Sequence, residues 1–123
     1  MSPVFRPATL ADFAVFYDGG FPHTAKAWAA EIDGETVGIG GIAYRPLPAG
    51  PYLFSNIKPA LERHPRAMIR AAKAFLAGQD QSCMAFADPA RPGSVKFLAH
   101  LGFMPVGVQS RGAEAMRWPG RSA

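Results

Sequence analysis

The sequence predicts a mixed α/β fold, of the α+β kind with a mixed sheet, in the order β-α-β-β-β-α-β-α-β-β. Two apolar stretches flank Asp33-Gly34, and Asp-Gly accepts the positive φ values of a tight antiparallel hairpin turn. Further along, "PRAMIRAAKAFLA" and "SVKFLAHL" have helical periodicity and lie on either side of the apolar run "SCMAFAD". The hairpin therefore comes early in the chain, and the crossover helices follow it.

The first elements lie in "VFRPATLADFAVFYD". "VFRP" is a short extended run that Pro7 ends, and Thr9 is a candidate N-cap for a helix through "LADFAVFYD", which Gly19-Gly20 ends. The hairpin strands lie within residues 27–44, and Gly40-Gly41 in the second of them indicates a bulge or a close backbone approach. "RPLPAGP" is predicted to be a loop, because proline cannot donate to a strand ladder.

The segment after this loop contains a fourth strand, "YLFSNIK", and a connecting loop, "PALERH". A helix follows, with Pro65 at its first position and Gly78 at its end. Its apolar residues recur at helical spacing and are expected to face the sheet: Met68, Ala71, Ala72 and Phe75. Its basic residues recur in the same way on another face: Arg66, Arg70 and Lys73.

The last third of the chain supplies the remaining strands and a helix. "SCMAFAD" is predicted to be a central strand, and its continuous apolar character predicts burial on both faces. Ser94 is a candidate cap for the helix "SVKFLAHL", which Gly102 ends. Two short strands then surround "SRGA".

Composition excludes several classes of protein. We expect the 123 residues to form one domain, 1–123, and no run approaches the ~18 apolar residues of a membrane-spanning helix. The N-terminus has no signal-peptide pattern, so the expected location is cytoplasmic, without a membrane partner. Cys83 is the only cysteine, which excludes an internal disulfide, and its apolar surroundings indicate a core residue. The three histidines share no ligand spacing, and no metal site is predicted.

Charge is distributed unevenly along the chain. Residues 1–57 contain three Lys/Arg and five Asp/Glu, whereas residues 58–123 contain ten and four. This asymmetry indicates an anionic partner for the second half: a phosphate-bearing cofactor, an acidic protein surface or nucleic acid. No exposed aromatic residues alternate with the basic ones and no nucleic-acid-binding module is recognisable, which argues against nucleic acid. A simply solvated helix face remains an alternative.

Three segments carry a resemblance to a known family. "FRPATLADF", the hairpin "AAEIDGETVGIGGIAY" and "SVKFLAHLGFMPVG" occur in the order found in the GNAT superfamily of acyl-CoA-dependent N-acyltransferases. The last segment resembles the closing helix of that family, its Leu-Gly-Phe turn and the strand after it. Together they span nearly the whole chain, so the sequence resembles a short GNAT protein.

The resemblance implies a sheet splayed open between its fourth and fifth strands, with acetyl-CoA in the gap and its pyrophosphate at the start of the next helix. It implies transfer of the acetyl group to an unidentified amine, on a small molecule or a protein. The implied cofactor contacts follow the fourth strand and the starts of two helices: Ile57, Lys58, Arg63, Arg66, Ala67, Arg70 and Ser94.

The chain departs from the family pattern at three places. The phosphate loop, usually glycine-rich, is "RHPRAM" here, where Pro65 removes a backbone donor. Leu98 occupies the position of a tyrosine that protonates the departing thiolate in many members. The fourth strand has no carboxylate to act as a base. These departures predict weak or lost activity.

Three residues near the predicted cleft can accept a proton from an amine: Glu62, His64 and Asp88. Each has a structural alternative, because Asp88 can cap the next turn, His64 can cap a helix and Glu62 can pair with an arginine.

A narrower resemblance supplies a second functional hypothesis. The short chain, the segment "AGPYLFSNIKPALERHPRAMIRAAKAFL" and Leu98 resemble small acetyltransferase-like proteins of tailed bacteriophages. This implies a non-catalytic virion, accessory or assembly protein that binds phage structural proteins or its own copies, with the loop around Leu47 and Tyr52 as the contact.

Overall fold

The computed structural model describes residues 2–21, 24–44, 50–88, 90–91, 93–110 and 112–120, without the side chains of 108–110. Within these ranges the chain forms seven strands and four helices. Their bounds, in chain order, are β1 (Val4–Pro7), α1 (Leu10–Phe16), β2 (Thr24–Ile32), β3 (Glu35–Tyr44), β4 (Pro51–Ile57), α2 (Pro59–Glu62), α3 (Pro65–Ala77), β5 (Cys83–Ala87), α4 (Ser94–His100), β6 (Met104–Ser110) and β7 (Ala113–Trp118).

The seven strands form one sheet in the order β1-β2-β3-β4-β5-β7-β6. Neighbouring strands are antiparallel except for β4 and β5, which are parallel and pair at one position, Tyr52 with Met84. Both residues lie near the start of their strands, so the two strands separate toward their C-terminal ends. The predicted mixed fold and its splay between the fourth and fifth strands are confirmed.

The helices cover the sheet unequally. One face packs against α1 through an aromatic cluster that includes Phe13, Phe21 and Phe54. The other face packs against α2, α3 and α4, where Leu61, Met68 and Leu98 are buried. The gap between β4 and β5 therefore has α3 and α4 on one side and the aromatic cluster on the other.

A buried carboxylate fixes α1 to the sheet. Thr9 caps α1 as expected, and its side chain and that of Asp12 form a reciprocal capping box. Asp12 also accepts two hydrogen bonds from Arg6, at 2.7 and 3.0 Å, and one from Thr36 at 2.7 Å. These bonds, above all those from Arg6, hold the pKa of Asp12 well below its usual range.

The adjacent glycines Gly40 and Gly41 in β3 permit close packing, as predicted. A Cβ on Gly40 would lie 2.9 Å from the Trp28 ring, and one on Gly41 would overlap the backbone carbonyl of Lys26 on β2. The register shift between β2 and β3 lies elsewhere, between Ala30 and Glu31. The glycines therefore serve close approach rather than a bulge.

Several local predictions were wrong in detail. The expected loop "PALERH" contains the one-turn helix α2, which begins at Pro59. Gly93 rather than Ser94 is the N-cap of α4, and the Ser94 hydroxyl accepts a hydrogen bond from the Asp88 amide instead. In β5, Phe86 is 42% exposed, because no helix among the described residues covers that part of the α1 face.

The loop at residues 45–49, with Leu47, lies outside the described residues, as does His23. Cys83 is buried, and burial raises the pKa of its thiol to about 11. None of the helices in the described ranges has the length and apolar character needed to cross a bilayer.

Candidate active site

The splay between β4 and β5 opens a cavity of about 440 Å³, called here the cleft. Its walls are residues 52–57 of β4 and residues 85–86 of β5, and its floor is formed by α3 and α4. The floor is apolar, with Met68, Ala72, Phe75, Phe97 and Leu98. An extended, largely apolar ligand arm fits such a space, because apolar area is removed from water on binding.

Polar groups line the open end of the cleft. Ser55 and Asn56 lie on β4, and Asp88, Arg91 and Ser94 follow β5. Because the C-terminal ends of parallel strands meet at one edge of a sheet, these side chains collect there. Beyond Tyr52 the β5-facing edge of β4 has no strand partner among the described residues, so its backbone groups are available to a ligand.

The α1 face of the cleft carries a hydrogen bond between Asn56 and Tyr17. The Asn56 side-chain amide donates to the Tyr17 phenol oxygen at 2.5 Å. Partial burial of Tyr17 raises the pKa of its phenol above the usual range. Tyr17 is therefore a neutral hydroxyl at physiological pH, next to Asn56 but not itself among the residues that line the cleft. No pattern in the sequence indicated this pair, because the residues are 39 positions apart.

Asp88 is the only carboxylate among the described residues that line the cleft. Its Oδ1 accepts a hydrogen bond from the Ala90 amide at 2.9 Å, as the turn-capping alternative predicts. A carboxylate has several lone-pair directions, so this bond leaves Asp88 able to accept a further proton or hydrogen bond.

An ion pair crosses the mouth of the cleft. The Arg91 guanidinium donates to Glu62 at 3.4 Å, which links the loop after β5 to α2. Both side chains are half exposed or more, at 60% and 50%. Such a pair contributes only ~0–1 kcal/mol, so an incoming anion can displace Glu62 from Arg91 at little cost.

A second depression, called here the basic groove, lies between α3 and β1. Its volume is about 710 Å³, and it is open to solvent. Its lining residues come from the first two turns of α3 and from the start of the chain: Ser2, Pro3, Phe5, Arg63, His64, Pro65, Arg66, Ala67, Arg70 and Ala71. None of these residues is among those lining the cleft.

Helix geometry separates the two depressions. Residues two positions apart on an α-helix point about 200° apart around its axis. Met68 and Ala72 line the cleft, and so Arg66 and Arg70 point away from it, into the groove. The periodicity in the sequence predicted two faces of α3, but not that the cleft would lie on the apolar one.

The first turn of α3 leaves backbone donors free. His64 is the N-cap and makes no side-chain capping bond, and Pro65 has no N–H. Within the described ranges, the amides of Arg66 and Ala67 donate to no protein acceptor. Two free amides at a helix start attract an anion, although glycines would allow closer contact.

The predicted site residues thus divide between three places. Ile57, Asp88 and Ser94 line the cleft, and Glu62 lies at its mouth. His64, Arg63, Arg66, Ala67 and Arg70 line the basic groove. Lys58 pairs with Glu35 at 3.3 Å on the hairpin side of β4. No cluster of metal-binding side chains occurs in the described part of the chain.

Three solved acetyltransferase structures have a similar fold. One is the spermidine/spermine N-acetyltransferase SpeG from Vibrio cholerae, with 10% identity and a TM-score of 0.65 over 98% of this chain and 96% of that one. Another is AAC(6')-Ib in complex with paromomycin and acetyl-CoA, with 12% identity and a TM-score of 0.64 over 97% and 94%. A third is a GNAT-family acetyltransferase from Streptococcus pneumoniae, with 16% identity and a TM-score of 0.65 over 94% and 98%.

No protein-family model matches the chain, and no curated protein sequence matches it. At these identities the structural likeness concerns the fold alone. The chain therefore has the GNAT fold that its sequence segments resembled.

Proposed function

We propose that this protein is an N-acyltransferase that moves the acetyl group of acetyl-CoA to a primary amine. The observation that carries the proposal is the cleft: about 440 Å³ between parallel strands that pair at one end only. Its apolar floor and free strand edge suit a pantetheine arm, which has methylene groups and two amides. The fold it shares with acetyltransferases supports the same function.

The phosphates of the donor would lie at the mouth of the cleft. In this proposal the phosphates bind Arg91, which lines the cleft, and the Arg63 side chain and the free amides of Arg66 and Ala67 at the start of α3. Ser94 and Ile57 border it from α4 and β4. Arginine binds phosphate in a bidentate manner, which compensates in part for the absent glycines.

The reaction needs an uncharged amine and a leaving thiolate. The amine nitrogen attacks the thioester carbon, the C–S bond breaks, and the amine proton passes to Asp88 directly or through water. Leu98 cannot protonate the thiolate, so water must do so. Positioning and backbone polarisation of the carbonyl then supply most of the rate enhancement, and we expect slow turnover.

The experiment measures donor binding and transfer separately. Acetyl-CoA at millimolar concentration should raise the melting temperature, because a ligand of the native state stabilises it by mass action. Ser55→Trp, which fills the cleft, should abolish the shift, whereas Thr24→Trp at an exposed position on β2 should keep it. Absence of any shift in the folded wild type would contradict the proposal.

A second candidate is a GNAT-fold protein that binds but does not transfer. The observation favouring it is Leu98 on the cleft floor, in place of a proton donor. Release of CoA thiol in the presence of an amine panel distinguishes the two: binding without release favours the accessory or assembly role, including the phage-encoded one. Light scattering then tests self-association.

A further inference from the structure

The acyl-transfer proposal uses only the Arg63 side chain and the first-turn amides of α3 from the basic groove, yet the groove carries further positive charge. The side chains of Arg63, Arg66 and Arg70 are exposed. Within the described residues, none of them forms an ion pair or hydrogen bond. Unlike Arg6, Lys58 and Arg91, which each face a carboxylate, these three have a free charge beside a concave surface.

The wall opposite the helix is the edge of the sheet. β1 has one strand neighbour, β2, so its outer edge is unpaired as far as the described residues extend. The backbone groups of Phe5 and Pro7 face outward from β1, and Pro7 has no N–H, so this edge offers their two carbonyl groups and the N–H of Phe5 to an added strand, which is a common mode of peptide binding.

The spacing of the arginines matches an extended peptide. Arg66 and Arg70 are four residues apart, or ~6 Å along the helix axis. Alternate side chains of an extended chain lie on one side, ~6.6–6.8 Å apart. Carboxylates at every second position of a peptide on β1 would therefore meet both guanidinium groups in register.

The aromatic content of the groove argues against a single-stranded nucleic acid. Its one phenyl ring, Phe5, is half buried and packs edge-on against Trp28, with 5.4 Å between ring centroids, and its other ring is the smaller imidazole of His64. Binding of single strands relies on several exposed rings on which successive bases stack. The groove has charge and a backbone edge, and none of its lining residues is a tyrosine or a tryptophan.

We propose that the basic groove between α3 and β1 binds an extended acidic segment of a partner protein, with carboxylates at alternate positions paired to Arg66 and Arg70. The site is distinct from the cleft and does not depend on acyl transfer. The partner's backbone adds to β1, and its acidic side chains give the specificity.

The test uses a fluorescent decapeptide of alternating Glu and Ser, with anisotropy as the readout at low ionic strength. We expect saturable binding to the wild type and about tenfold weaker binding to Arg66→Glu/Arg70→Glu. The matched control is Lys73→Glu/Lys96→Glu, which changes the net charge equally at exposed positions outside the groove and should bind as the wild type does. Circular dichroism verifies that both variants fold.

Three results would overturn the proposal. These are absence of peptide binding, equal loss in both double variants, and tighter binding of a labelled oligothymidylate than of the peptide. The last would assign the groove to nucleic acid. A negative result in the peptide assay would not change the rise in melting temperature expected with acetyl-CoA, so the two proposals are tested separately.

Discussion

The carboxylate of Glu62 lies 3.4 Å from the guanidinium of Arg91, and the pair spans the mouth of the cleft. Glu62 was expected to be a base or a partner of an adjacent arginine, and its partner is 29 residues away. The pair neutralises Arg91, a cation that lines the cleft in which we propose that the donor binds. If the proposal holds, Glu62 competes with the donor for Arg91.

Glu62→Gln should accordingly strengthen acetyl-CoA binding by about threefold, since an exposed pair is worth less than ~1 kcal/mol. Arg91→Gln should weaken it by a similar factor. Isothermal titration calorimetry measures both. Glu35→Gln, which breaks the exposed Lys58 pair away from the cleft, is the matched control and should leave the affinity unchanged. Weaker binding in Glu62→Gln would show that the carboxylate supports the site instead.

Leu98→Tyr should restore a proton donor to the cleft. Leu98 is buried on the cleft floor, at the position where the family resemblance places a tyrosine. If thiolate departure limits the rate, kcat should rise by about 10² or more. Phenylalanine has nearly the volume of tyrosine but lacks the hydroxyl, so Leu98→Phe should not accelerate transfer. Equal rates in the two variants would mean that protonation is not limiting.

Gly41→Ala should destabilise the sheet. The added methyl group would overlap the Lys26 carbonyl and the Ala27 backbone, which cannot move without separating β2 from β3. We expect a loss of about 3 kcal/mol in the free energy of unfolding, measured by urea titration. Gly78→Ala, at a helix end with φ −88° and only ordinary contacts, should change stability by less than ~1 kcal/mol. A stable Gly41→Ala would require the strands to be farther apart.

Local signals in the sequence predicted most of the fold. Asp33-Gly34 located the hairpin, and Pro65 and Gly78 bounded α3, because each of these residues favours one backbone geometry. The helix α2 was missed because four residues are too few to show a period. The exposure of Phe86 was missed because an apolar strand does not reveal which of its faces a helix covers.

The candidate site was predicted less completely, because it depends on contacts between distant residues. The Asn56–Tyr17 and Glu62–Arg91 pairs join residues far apart in the chain, and no spacing rule finds them. The helical spacing in the sequence predicted the basic face of α3, but the side of α3 on which the cleft lies is set by how the helix packs on the sheet. One feature of the sequence indicated Arg91 as a site residue: it follows β5, at the edge of the sheet where the parallel strands end.

Asp12 makes the stability of the protein depend on acid pH. Its pKa is lowered in the folded state, chiefly by the hydrogen bonds from Arg6. Ionised Asp12 therefore stabilises the fold above the unfolded-state pKa of about 3.9, and this contribution is lost as the pH falls below that value toward the folded-state pKa. Asp12→Asn should lower the free energy of unfolding by about 2 kcal/mol at pH 7 and reduce its decline between about pH 4 and pH 2.

Urea denaturation at a series of pH values measures this dependence. Asp18→Asn, at an exposed position without an ion pair among the described residues, should follow the wild-type profile. Two results would show that Asp12 is not the group responsible: an acid-dependent loss of stability that persists fully in Asp12→Asn, or one that disappears in Asp18→Asn. The capping box predicts in addition that Thr9→Ala loses about 1 kcal/mol independently of pH in the neutral range, since the hydroxyl does not titrate.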